Sequence, residues 1–121
     1  MEEHDWVAAR SCLADDFALH DHRQLGLGTL GRDEWVESLR VMDELTPGWR
    51  WETFRIFAWN RHGSVDACRQ FGTIRDGGPF ENVFIRVIVT DGDRIRHYEL
   101  FDIGAVESAL SRFEELCAAV R

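Results

Sequence analysis

The run LADDFALHDHRQLGLGTLGRDEW, residues 13 to 35, holds four aspartates and two histidines. Side chains of these types at this density suit a metal site, an acid–base site, or the caps and turns of a joint between helix and strand. The metal reading runs short of ligands. His20 and His22 stand two apart, but no HExxH, no CxxC and no nearby third histidine completes a set. His4 and His62 fall near the chain end and in a turn. We expect surface or helix-contact histidines and no metal. The GLGTLG stretch reads as a loop into a helix and not as a nucleotide-binding turn, because no βαβ unit comes after it.

The elements that must position these groups are legible from periodicity. Apolar residues at Trp6, Ala9, Cys12 or Leu13, and Phe17 recur at threes and fours, which predicts a short amphipathic helix, with FALHDHR as a brief strand after it. Glycines 26, 28 and 31 make a loop, and Trp35, Leu39 and Met42 mark one face of a second helix that stops before TPG. The period then changes to two. WRWETFRIFAWN places Trp49, Trp51, Thr53, Phe57 and Trp59 on one face, and SVDACRQFGTI, FENVFIRVIVT and RIRHYELFD come next through hairpin-type turns. Ile103 to Val120 returns to helical spacing, with Asp102 placed as its N-cap. This is an α+β layout in which helices cover one face of an antiparallel sheet, and 121 residues make one domain, 1–121.

Composition excludes several partners. A net charge of −8 and a pI near 5.0 argue against nucleic acid, which draws on clustered Lys and Arg. No apolar run is long enough to cross a membrane, and MEEHDWVAAR is acidic where a signal peptide needs a basic start. Cys12, Cys68 and Cys117 are odd in number and widely spaced, so they read as buried thiols of a cytoplasmic protein. In residues 83 to 89, Val83, Ile85, Val87 and Val89 share one strand face. With few helices to cover it, that outer sheet face is expected to meet a second subunit in a homodimer.

The runs LADDFALHDHRQLGLGTLGRDEW and FIRVIVTDGDRIRHYELFDI resemble the nuclear transport factor 2-like superfamily in its SnoaL-like branch, and the order of elements is similar over nearly the whole chain. That branch includes polyketide cyclases, ketosteroid isomerase and limonene-epoxide hydrolase. The resemblance implies a cone-shaped, strongly curved antiparallel sheet, a short strand plus a four-strand meander, packed against helices as a cystatin-like roll around a small apolar ligand. The family's long first helix is missing, which suggests either a cone open at one end or a domain of a larger regulatory protein.

The resemblance also implies site residues. Asp21 matches the general base of ketosteroid isomerase, where apolar surroundings would raise its pKa toward the working range. The isomerase's other groups are absent: the one tyrosine is Tyr98, on a strand, and Arg86 occupies the position of the second aspartate. Glu99 falls where the cyclases and the epoxide hydrolase place an acidic residue, while Ala67 and Arg69 break the hydrolase's water-activating triad. Alternation sends His97, Glu99 and Phe101 to one face, which we expect to be the concave one. The expected catalytic set is Asp21, Glu99, Arg86 and Arg69, and the expected substrate wall is Trp49, Trp51, Phe71, Asn82, Phe84 and His97.

Two functions are expected on these grounds. In one, Glu99 and Asp21 move protons and Arg86 and Arg69 steady oxygen charge during cofactor-free cyclisation, isomerisation or dehydration of an apolar or aromatic oxygenated small molecule. In the other, the charges only pair with one another, and the chain is a noncatalytic ligand-binding or dimerisation domain.

Overall fold

The computed structural model describes residues 5–24 and 26–119. In chain order the elements are α1 (Trp6–Ser11), β1 (Leu13–Asp21), β2 (Thr29–Gly31), α2 (Arg32–Leu45), β3 (Arg50–Asn60), β4 (Gly63–Thr73), β5 (Pro79–Asp91), β6 (Arg94–Asp102) and α3 (Val106–Ala119). The strands form one curled, unclosed sheet of order β2-β1-β6-β5-β4-β3. All its neighbours are antiparallel except β1 and β6, which run parallel.

The first helix is shorter than its spacing suggests. Asp5 starts it by accepting the Val7 and Ala8 N–H groups, and Cys12 ends it. Leu13 and Phe17 are four apart, a separation that suits a helix turn and two strand repeats alike. Pairing with β6 decides for the strand, burying Phe17 and Leu19 and leaving Asp15 and Asp16 exposed beside Arg32 and Arg96. At the other end α3 begins at Val106, later than expected, and Val120 lies outside the described residues, as does His4. The Asp102 side chain accepts the Gln24 N–H across the fold, and its backbone carbonyl accepts the Ala105 N–H.

Each sheet face has its own cover. On one, Leu13, Phe17, Leu19, Cys68, Phe84, Tyr98 and Leu100 pack with Trp35 of α2. On the other, Val65, Ile85, Val87, Val89 and Phe101 pack beneath Ala109, Phe113, Leu116 and Cys117 of α3. The aliphatic row expected to be bare is therefore covered by the chain's own last helix, and only Val83 at its end is exposed. This row does not need a second subunit to cover it. Trp59, 78% exposed, and Ile56 on the edge strand β3 are instead open apolar side chains.

Two bulges in β3, at Phe54 and Phe57, break the simple alternation. Trp51, Thr53, Ile56 and Trp59 share the α2 face, while Phe57 turns toward the α3 core. Cys68 and Cys117 are buried as expected, but Cys12 is exposed at the end of α1. No described helix is long and apolar enough to cross a membrane.

Candidate functional site

Between α2 and the sheet lies a cavity of about 180 Å³. Trp35, Leu39 and Met42 come from α2, Trp51, Gln70, Asn82, Phe84 and Leu100 from the sheet, and Arg23 and Leu27 from the loop after β1; Ser38 completes the wall. The sequence puts these groups here through two periods: α2 turns Trp35, Leu39 and Met42 inward, and Gln70, Asn82, Phe84 and Leu100 are inward-facing strand residues. Trp51 meets the Phe84 ring edge-on at 5.9 Å, which makes two flat walls nearly perpendicular.

Asp21 lies at the cavity rim with its side chain fully buried. Its two oxygens accept Arg23 Nε at 2.9 Å and Nη2 at 2.7 Å, together with the backbone N–H groups of Arg23 and Leu27. Burial pushes this carboxyl up, but the Arg23 fork and the two N–H groups outweigh it and hold the pKa below the usual carboxylate range. The expected rise toward a working base is thus reversed. Gly26 is needed for this wrap, since a methyl there would lie 2.7 Å from the Asp21 carboxyl carbon. Arg23 itself lies 5.1 Å over the Phe84 ring, and the expected site did not include it. The signal was present, an acid and a base two apart at the end of a strand.

Glu99 is on the opposite face. Its side chain is fully buried, with Oε1 2.6 Å from His22 Nε2 and both oxygens 3.0 Å from Arg112 Nε. Burial pushes the carboxyl up, and Arg112 and His22 pull it down further, so it too lies below its ordinary value. His22 also stacks on Phe101 at 4.6 Å. His97 shares this face, its Nδ1 buried without a hydrogen-bond partner; burial, helped by Arg96, lowers its pKa. The expectation that His97 and Glu99 face the cavity is corrected: Leu100 lines it and Tyr98 shares its side of the sheet, because pairing with β5 fixes the opposite parity.

Arg86 is on the α2 face as expected, but it does not line the cavity and has no contact with Glu99. Its Nε and Nη2 each lie 3.1 Å from an Asp66 oxygen, and Nη1 lies 3.5 Å from the Tyr98 hydroxyl. Burial pushes the Tyr98 phenol up to about 12, and its hydroxyl oxygen accepts from Arg86. Asp66 was overlooked, although a lone acid within an otherwise apolar strand stretch is a recognisable sign. Arg69 and Phe71 fall on the opposite face from the cavity, with Arg69 stacked on Phe71 at 3.9 Å and paired to Glu81 at 2.7 Å. Trp51, Asn82 and Phe84 do line the cavity, and Trp49 backs Trp51 from 5.2 Å. The described residues contain no cluster of His, Cys, Asp and Glu arranged to hold a metal ion.

No family model and no curated protein sequence matches the chain. Solved structures do. BvnE pinacolase from Penicillium brevicompactum aligns over 91% of this chain and 77% of its own, with a TM-score of 0.67 at 14% identity. A phenazine biosynthesis-related protein from Pseudomonas aeruginosa aligns over 88% and 75%, with a TM-score of 0.66 at 19% identity. A nuclear transport factor 2-like protein from Anabaena variabilis aligns over 79% and 72%, with a TM-score of 0.65 at 21% identity. The chain has the fold of the nuclear transport factor 2-like superfamily. That fold carries enzymes and proteins of unknown function alike, so the chemistry must be argued from the site.

Proposed function

We propose that this chain is a small-molecule-binding pocket protein that holds its ligand between α2 and the sheet without moving a proton. One observation carries the reading: among the described residues Arg23 is the only titratable group lining the cavity, and it is already paired with Asp21. Acid–base catalysis needs a group whose protonation changes near the working pH within reach of the substrate. A guanidinium stays protonated, and the Ser38 hydroxyl has no base among the described hydrogen bonds. The walls offer what binding needs: two tryptophans and a phenylalanine for contact area, with two amides for orientation.

Cyclisation, isomerisation or dehydration through Glu99 and Asp21 has less support, because the two carboxylates lie on opposite faces of the sheet. The cavity is smaller than the ~300–1,000 Å³ of drug-sized sites, which favours a compact ligand. Quenching of tryptophan fluorescence by a panel of small apolar oxygenated molecules tests the reading. A saturable response that weakens about tenfold or more in Trp51→Ala supports it, given the weight aromatic anchors carry in recognition. A saturable response unchanged in Trp51→Ala and in Phe84→Ala would place the ligand elsewhere and refute the assignment.

A further inference from the structure

Resting on the reading of this cavity as a binding site, we infer that its occupant is a small neutral molecule carrying a hydrogen-bond acceptor beside a donor, of the amide or lactam class, and that the cavity rejects carboxylates of the same shape. The presence of an arginine in the wall suggests the reverse at first sight. The charge around it decides.

Arg23 reaches Asp21 with Nε and Nη2, and Nη1 makes no hydrogen bond among the described residues. A donor is therefore left over, but the positive charge is not. Asp21 neutralises it at 2.7 Å, and Asp102, whose Oδ2 takes the N–H of the next residue Gln24 at 3.1 Å, adds a second negative charge to the same corner. An entering carboxylate would give up its water to meet one guanidinium and two carboxylates, a net repulsive surrounding. A neutral carbonyl would take the Nη1 hydrogen bond without that repulsion. The chain's net charge of −8 acts in the same direction at longer range.

The far wall asks for a donor as well. Asn82 Nδ2 leans on Gln70 Oε1 at 3.4 Å, leaving Asn82 Oδ1 without a hydrogen bond among the described residues. Gln70 Nε2 is aimed at Met42 Sδ at 2.9 Å, and a thioether is a weak acceptor that a ligand oxygen readily replaces. The cavity thus presents leftover donors at Arg23 and Gln70 and a leftover acceptor at Asn82, beside the nearly perpendicular aromatic walls of Trp51 and Phe84. An amide on a small ring matches that pattern in both hydrogen bonding and shape.

Benzamide and benzoate are matched in size and differ in charge, so titrating the full chain with each at neutral pH, read by tryptophan fluorescence, tests the inference. Benzamide is expected to bind at least about tenfold more tightly than benzoate, the discrimination typical of a site whose polar groups one ligand satisfies and the other does not. Asp102→Asn, with its fold checked by thermal melting, is expected to narrow the gap by strengthening benzoate alone. Benzoate binding as tightly as benzamide, in a response that Trp51→Ala abolishes, overturns the ligand class while leaving the binding site standing. No saturable response to either molecule, nor to the wider panel of small apolar oxygenated molecules, overturns the binding reading itself.

Discussion

Asp21 and Glu99 are carboxylates of the same kind in sequence, and each is locked by an arginine, yet they serve different faces of one sheet. Both have pKa values below the ordinary range in the folded chain, so the unfolded chain takes up their protons first as pH falls. Their contribution is complete above about pH 5 and is lost as pH drops through the carboxylate range toward the folded values. His97, also lowered, acts with the same sign but earlier: its share is complete above about pH 6.5 and declines as the buried imidazole is forced to charge. Thermal melting against pH is expected to show both limbs, with His97→Gln flattening the upper one and Glu99→Gln the lower one. Glu99→Gln is also expected to cost about 1–3 kcal/mol at pH 7, because it removes a charge-assisted acceptor from Arg112 and His22. Gly26→Ala is expected to weaken ligand binding more than stability, since it displaces the Asp21 carboxyl that holds Arg23 in the cavity wall; titrations of the variant set against its melting curve separate the two effects.

At the level of elements, α3 does most to separate the expected molecule from the observed one. Its apolar stripe of Ala109, Phe113, Leu116 and Cys117 was legible, and so was the aliphatic row of β5, but not that each is the other's partner. Phe113→Ala is expected to cost about 3–5 kcal/mol, as large-to-small core changes of a phenylalanine do. It should also expose Ile85, Val87 and Val89, so dye binding and concentration-dependent association in sizing experiments should rise together. A variant that lost stability without binding dye would indicate that the row is protected by something other than α3. In β3 the two bulges explain why a period-two reading placed Trp51 correctly and Phe57 on the wrong face. Each added residue reverses the parity of the strand beyond it, and a propensity pattern does not count residues lost from the ladder.

Over the whole molecule, two cores on either side of one sheet leave little of β5 for an outside partner. Hydrogen exchange at the Ile85, Val87 and Val89 amides is expected to be the slowest in the chain and independent of protein concentration, because α3 supplies the cover within each copy. Protection that grew with concentration would mean that a second subunit provides it. Linear pattern was enough for the helix and strand order from β3 onward, the α+β class, and the aromatic character of the cavity, because periodicity, turn residues and composition are local properties. Which face each charge occupies is a different kind of fact, settled by the folded chain and by nothing more local. A β-strand offers its residues to two sides, and only the β5–β6 register, the parallel β1–β6 ladder and the docking of α3 and α2 could place Glu99 outside the cavity and Arg23 within it.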